Sequence, residues 1–193
     1  MKITFAMLAL LVFVGAASAA NKHLDAIWFD DGLPEVVLGA YFNIEGTDTV
    51  MTLEADTLSV YLVMWNGGLR EEGDAAALEY MIEIPEGLRL IKDVLPPYSH
   101  LCIGTVDKGF SQTLEKRPAD GLLVNTLRFW RDGEVGDDAR IRVVPHPDTE
   151  LLQWVAMPGG PQSVVKYMMS GQDAILNPKL TSAIEGWKPV RSK

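Results

Sequence analysis

The amino-acid sequence predicts an all-β protein, a single antiparallel β-sandwich of about eight or nine strands. Short apolar runs alternate with polar residues at a period of two, and Gly, Pro, Asn and Asp residues separate the runs. Inside the runs Val, Ile, Leu, Tyr, Phe, Trp and Thr predominate, and these side chains suit a pleated, half-buried surface. Many such runs in one domain are typical of a sandwich, Ig-like or jelly-roll, or of a barrel.

Nine runs are predicted as strands. They cover residues 36–44, 57–65, 75–84, 88–94, 101–106, 121–130, 139–144, 151–157 and 164–169. The third run is ambiguous, because Asp74 could cap a helix that begins in the three alanines after it. Leu78, Tyr80 and Ile82 share one parity, which favours a strand. A short helix is predicted near residues 181–185.

The N-terminus predicts a cleaved secretory signal peptide at residues 1–19. A positive start is followed by an apolar run and then by Ala17-Ser18-Ala19, a small-residue cleavage pattern. The apolar run is shorter than the roughly 20 residues that span a bilayer, so a retained anchor is disfavoured. The expected organisation is this signal peptide, a sandwich domain at residues 20–185 and a flexible basic tail at residues 186–193. The expected location is secreted or periplasmic, in a bacterium, with no membrane span in the mature chain.

Charge and cysteine content limit which partners the protein is expected to bind and how its fold can be stabilised. The 193 residues have a formal net charge of −9, and loss of Lys2 with the signal peptide would make it −10. Nucleic acid is therefore not an expected partner, since it requires clustered basic residues. Cys102 is the single cysteine, which excludes an intramolecular disulfide. Its apolar neighbours predict a small buried side chain and not a catalytic thiol.

Sequence motifs of the common enzyme classes are absent. The chain contains no G-x-S-x-G, H-E-x-x-H or C-x-x-C motif and no glycine-rich phosphate loop. His23, His100 and His146 are widely spaced, although a triad assembled in space stays open. A non-catalytic role is therefore favoured over an enzyme.

Acidic residues in predicted loops form the next group of candidates. Asp132, Asp137 and Asp138 are weak calcium candidates, because Ca²⁺ takes six to eight oxygen ligands. Tight turns between strands also require Asp and Gly, and that interpretation is favoured. No cofactor is therefore expected, with calcium as the alternative. Asp30 and Asp31, together with Asp137 or Asp138, are the carboxylates that a hydrolase on this scaffold would use, at about 5–9 Å separation.

Tryptophan supplies the best candidate for ligand binding. The chain has five tryptophans, Trp28, Trp65, Trp130, Trp154 and Trp187. Leu127 and Phe129 lie on one parity of their run, so Trp130 is expected to face outward if those two face the core. An exposed indole can stack on a sugar ring or anchor a protein partner. Trp65 and Trp154 have apolar neighbours on both parities and are expected to be buried.

Three segments resemble the cohesin and carbohydrate-binding group of bacterial extracellular β-sandwiches. The first, at residues 57–63, is similar to an early core strand of that group. The second, at residues 78–91, is similar to its strand, proline turn and strand, without the Asp before Pro85. The third, at residues 121–129, resembles its late strand. The resemblance covers roughly residues 35–157 and implies the fold and an extracellular setting, with no binding residue carried over.

The predicted function is a non-catalytic binding or structural module that contacts an extracellular protein or glycan through a sheet face or a loop end. Trp130 is the predicted contact if the ligand is a glycan. Two alternatives stay open: a hydrolase that uses the acidic loop residues, and an envelope assembly subunit that adds a strand to the sheet edge of a neighbour. An uncharged, unpaired edge strand would favour the assembly subunit.

Overall fold

The computed structural model of the chain describes residues 36–65, 74–118, 121–157 and 164–179. Thirteen strands lie in these ranges: β1 (Val37–Tyr41), β2 (Val50–Met51), β3 (Thr57–Trp65), β4 (Asp74–Glu83), β5 (Leu88–Val94), β6 (Ser99–Thr105), β7 (Gly109–Pro118), β8 (Leu122–Arg131), β9 (Ala139–Val144), β10 (Gln153–Met157), β11 (Val164–Tyr167), β12 (Met169–Ser170) and β13 (Ala174–Leu176). None of the described residues forms a helix long and apolar enough to cross a membrane.

The strands form two sheets, which confirms the predicted sandwich. The smaller sheet has the order β12-β1-β3-β8-β5. The larger sheet has the order β11-β10-β4-β9-β13-β2, and β7 joins it by pairing with β4 and with β6. Because β7 and β10 pair with the same stretch of β4, they lie on its two sides, and β6 is an edge strand. Most pairs are antiparallel, and only two short pairs, β1 with β12 and β2 with β13, are parallel within the described residues.

Each of the nine predicted runs contains a strand, and the third is the strand Asp74–Glu83, as the parity of its residues favoured. The thirteen strands exceed the eight or nine predicted, because the last run divides in two and β2, β7 and β13 lie outside the runs. The last run divides into β11 and β12 around the buried Met168. No run predicted the strand β7. Its inward Phe110 and Leu114 are separated by polar residues, so the segment lacks the apolar run that indicates a strand. The predicted helix at residues 181–185 lies outside the described residues.

The core is built from the alternate side chains that point inward from the strands of both sheets. Leu62 and Phe129 of the smaller sheet are fully buried, as are Ile82, Ile141 and Trp154 of the larger sheet. Burial of one such side chain stabilises the fold by about 1.5–3 kcal/mol. The period-two alternation therefore leaves each sheet with one outer face directed away from the core.

Hydrogen bonds inside the core connect the two sheets. The Tyr80 hydroxyl of β4 donates to Oε1 of Gln112 on β7 at 2.9 Å. The Gln112 amide donates at 2.9 Å to the carbonyl of Val124 on β8, across the sandwich. The amide of Asn125, also on β8, donates to the Tyr80 hydroxyl at 3.4 Å. We name Tyr80, Gln112 and Asn125 the polar bridge. All three side chains are buried, so each hydrogen bond replaces one that water would otherwise supply.

Removal of the Tyr80 hydroxyl tests the polar bridge. The Tyr80→Phe variant keeps the ring but leaves polar atoms of Gln112 and Asn125 without that partner. We expect the free energy of unfolding in urea to fall by about 1–3 kcal/mol. Tyr61→Phe is the matched control, since Tyr61 is half-buried on an outer face, and we expect a change below about 0.5 kcal/mol. Equal losses in the two variants would contradict a stabilising bridge.

Candidate functional site

Trp130 has the orientation that its parity predicted. Leu127 and Phe129 are fully buried, whereas Trp130 is 41% exposed on the outer face of the smaller sheet. The indole lies in a row of paired residues between Arg89 of β5 and Thr57 of β3. Trp154 is fully buried as expected, and Trp65 is half-buried. Trp28 and Trp187 lie outside the described residues.

The aspartates of the acidic loop between β8 and β9 contact the protein itself. The Asp132 carboxylate lies 3.6 Å from the Arg89 guanidinium. The Asp137 carboxylate lies 3.9 Å from the Lys179 ammonium, and the Asp138 carboxylate accepts a 3.0 Å hydrogen bond from the Lys179 backbone N–H. Within the described ranges no three His, Cys, Asp or Glu side chains form a group that could hold a metal ion. Calcium binding at these aspartates stays a prediction, and Asp30 and Asp31 lie outside the described residues.

The backbone of the acidic loop follows turn chemistry. The Asp132 N–H donates to the carbonyl of Gly87 at 2.8 Å, which fastens the loop to the turn before β5. Gly87 has a φ of +85°, and a Cβ there would collide with the carbonyl of Glu134. Asp138 has a φ of +54°, a conformation that Asp tolerates better than most residues. These contacts give the acidic residues a structural role at the end of the sandwich.

The outer face of the larger sheet contains a second candidate surface, which the sequence did not predict. Two rows of paired residues cross β6, β7, β4, β10 and β11. The first row is Leu101, Thr113, Ala77, Val155 and Val165. The second row is Ile103, Ser111, Glu79, Gln153 and Tyr167. Since Leu78 and Tyr80 of β4 face the core, both rows face outward. We name these two rows the apolar face.

The apolar face exposes large hydrophobic side chains at its margins. Leu101 is 38% exposed, Ile103 is 47% exposed and Val165 is 42% exposed. The central Ala77 is small, so the first row forms a shallow surface between larger side chains. Outer faces of antiparallel sheets normally alternate to polar residues, which makes this apolar row unusual.

A buried carboxylate lies at the centre of the second row. Glu79 is only 8% exposed, although its parity places it on the outer face. Its Oε1 accepts a hydrogen bond from the Ser111 hydroxyl at 3.3 Å, and its Oε2 accepts one from the Gln153 amide at 2.5 Å. An ionised carboxylate offers about four acceptor positions, so these two donors leave acceptor capacity. The Glu79 carboxylate can therefore receive a donor from a molecule that covers the apolar face.

The structure describes two of the three histidines, His100 and His146. His146 is buried in the segment that connects β9 and β10, where its Nδ1 accepts a hydrogen bond from the Asp148 N–H at 3.3 Å. His100 is exposed on β6, and His23 lies outside the described residues. A hydrogen bond to a neighbouring backbone is a local structural role for His146.

Cys102 packs partly against the core, in line with the expected small side chain. It lies on the inward parity of the edge strand β6, where it is half-buried. Burial, with a smaller effect of the Asp93 carboxylate, raises the pKa of the Cys102 thiol to about 11. A raised pKa disfavours the thiolate, which is the nucleophilic form. The position therefore lacks the activation that a catalytic cysteine needs.

Comparisons with known proteins find structural similarity only. No protein-family description and no curated protein matches the chain. The third ScaB cohesin of R. flavefaciens, solved in complex with a group 1 dockerin, is 10% identical, with a TM-score of 0.46 over 74% of this chain and 95% of that one. A non-cellulosomal cohesin from the archaeon Archaeoglobus fulgidus is 6% identical, with a TM-score of 0.47 over 79% of this chain and 96% of that one. Both are cohesins, the family that the sequence segments resemble.

Thiol reactivity tests the environment of Cys102. A pKa raised from 9 to about 11 lowers the thiolate fraction at pH 8 about 100-fold. We expect the folded protein to react with a disulfide reagent at pH 8 at least about tenfold more slowly than the same chain unfolded in urea, because the greater nucleophilicity of a high-pKa thiolate offsets part of its lower population. Equal rates in the folded and unfolded protein would contradict the environment described for this thiol.

Proposed function

We propose that the protein is a non-catalytic module that binds another protein through the apolar face. Support comes from the margins of that face, where Leu101, Ile103 and Val165 expose apolar side chains on a surface that is usually polar. Exposed apolar side chains grouped on one face of a folded domain are typical of interaction sites.

Glu79 adds specificity to this proposed interface. A partner that covers the apolar face removes water from the remaining acceptor positions of the Glu79 carboxylate. A partner with a hydrogen-bond donor at that point satisfies them, whereas a purely apolar partner leaves a buried acceptor unpaired, which costs about 1–3 kcal/mol or more. We therefore propose a partner whose contact surface is apolar with a donor group near its centre.

The setting of this interaction is proposed from the N-terminus. The signal-peptide pattern of residues 1–19 supports a location of the mature chain outside the cytoplasm. The partner is accordingly proposed to be an extracytoplasmic protein. The R. flavefaciens cohesin is solved with a dockerin, which is also a protein, but the proposal for this chain depends on the chemistry of its own apolar face.

A charge placed on the apolar face tests the proposed interface. We expect Ile103→Asp to lower retention of secreted and envelope proteins from the host organism at least about tenfold, because an aspartate would be buried unpaired in the complex. Ile91→Asp is the matched control. Ile91 is 51% exposed and lies on the other sheet, so retention should equal that of the wild type.

Quantitative pull-down followed by mass spectrometry measures the retention, with circular dichroism to show that both variants fold. A partner lost from Ile103→Asp and kept by Ile91→Asp supports the apolar face. Equal retention by all three proteins would contradict it.

Strand addition at β6 is a second candidate function, favoured by one specific observation. Among the described strands β6, Ser99–Thr105, pairs with β7 alone, and it contains no Asp, Glu, Lys or Arg. Natural proteins usually protect such edges with charge, so an uncharged edge can accept a strand from a neighbour. An added strand should slow hydrogen exchange of β6 backbone amides in the complex. Unchanged exchange at β6 would exclude this mode and leave contact through the face.

A further inference from the structure

The outer face of the smaller sheet brings three basic residues around the exposed indole of Trp130. Arg89 pairs with Trp130 across β5 and β8, and Lys92 pairs with Arg128 across the same two strands. Arg128 and Trp130 are two residues apart on β8 and so share a face. All four side chains are exposed. We name Arg89, Lys92, Arg128 and Trp130 the cationic strip.

A bulge in β5 creates this arrangement. Arg89 and Lys92 are three residues apart, so in a regular strand they would point to opposite faces. The register shifts between Leu90 and Lys92, where Ile91 is the extra residue. The shift returns Lys92 to the face of Arg89 and Trp130, because a bulge re-aims the side chains that follow it.

The cations of the cationic strip are only partly paired with acidic side chains of the described residues. Lys92 and Arg128 have no ion pair in the portion of the chain that the structure describes, and Arg89 has only the 3.6 Å pair with Asp132. That pair is exposed on both sides, and surface pairs of this kind contribute about 0–1 kcal/mol. The strip is therefore a local positive surface on a chain whose formal net charge is −9.

Hydroxyl groups continue the two rows of the cationic strip. Thr57 of β3 lies opposite Trp130, and Ser59 of β3 lies opposite Arg128. One row thus presents a cation, an indole and a hydroxyl, and the next presents two cations and a hydroxyl. Neighbouring strands are about 4.8 Å apart, so these groups recur within the dimensions of a sugar ring.

We propose that the cationic strip binds an acidic polysaccharide whose sugars carry carboxylates, as uronic acids do. The face of the Trp130 indole stacks on a sugar ring. The Arg89, Lys92 and Arg128 side chains pair with carboxylates, with the guanidinium groups able to contact both oxygens. Hydroxyls of Thr57 and Ser59 are placed to hydrogen-bond sugar hydroxyls.

The charges and shape of the surface favour this ligand over other anions. An acidic peptide could pair with the cations, but an exposed flat indole flanked by hydroxyls matches a ring with hydroxyls better than a peptide backbone. The strip lies on the opposite side of the sandwich from the apolar face, so the two surfaces can be occupied together and this inference does not depend on the proposed protein partner.

Binding of oligogalacturonate, measured by isothermal titration calorimetry with a chelator present, tests the proposal. We expect binding that weakens as salt is added, and binding of a neutral glucose oligomer of equal length at least tenfold weaker. Trp130→Ala should weaken oligogalacturonate binding about tenfold, and so should the double variant Lys92→Gln with Arg128→Gln. Lys108→Gln is the matched control, since Lys108 is exposed on the β6–β7 turn, and it should bind as the wild type does.

Three outcomes would overturn the proposal. The first is no binding of oligogalacturonate by the wild type. The second is unchanged affinity in the folded Trp130→Ala variant, which would indicate attraction of charge without recognition of a sugar. The third is equal affinity for poly-glutamate, which would assign the strip to acidic peptides. The double variant changes only exposed side chains and keeps the test valid if Trp130→Ala fails to fold.

Discussion

The polar bridge is the constraint on which the rest of this sandwich depends. Tyr80 and Gln112 of one sheet and Asn125 of the other are buried among apolar side chains and hydrogen-bond inside the core, where Asn125 Oδ1 alone of their polar atoms has no partner among the described residues. Apolar packing alone would tolerate sliding of one sheet over the other. Directional hydrogen bonds do not tolerate such sliding. We infer that the polar bridge fixes the position of one sheet relative to the other, and thereby the residues that each outer face presents.

The two outer faces differ in chemistry. The apolar face of the larger sheet surrounds the buried Glu79 carboxylate, whereas the smaller sheet presents cations around Trp130. A single core therefore separates the surface that we propose for a protein partner from the surface that we propose for an acidic glycan. On these two proposals, the protein would join a protein to a glycan.

Alternation along the strands made the fold and the outward orientation of Trp130 predictable from the sequence. The strand β7 was missed because one of its inward positions is the polar Gln112, whose burial depends on hydrogen bonds to Tyr80 and to Val124 of the other sheet. The apolar face escaped prediction because its rows join five strands, and pairing between distant strands is not visible in a linear pattern. The cationic strip depends on the bulge at Ile91, which no local sequence signal indicates. The burial of Glu79 could not be predicted from the sequence, since only its pairing with Gln153 and Ser111 explains that burial.

Hydroxyl-radical footprinting of side chains tests the claim of two separate binding surfaces most directly. Oxidation would be compared in the free protein, with oligogalacturonate, with proteins retained from the host organism, and with both together. The account predicts protection of Trp130 by the oligosaccharide, protection of Leu101, Ile103 and Tyr167 by the protein partner, and both footprints in the mixture. A shared footprint, or displacement of one ligand by the other, would contradict it.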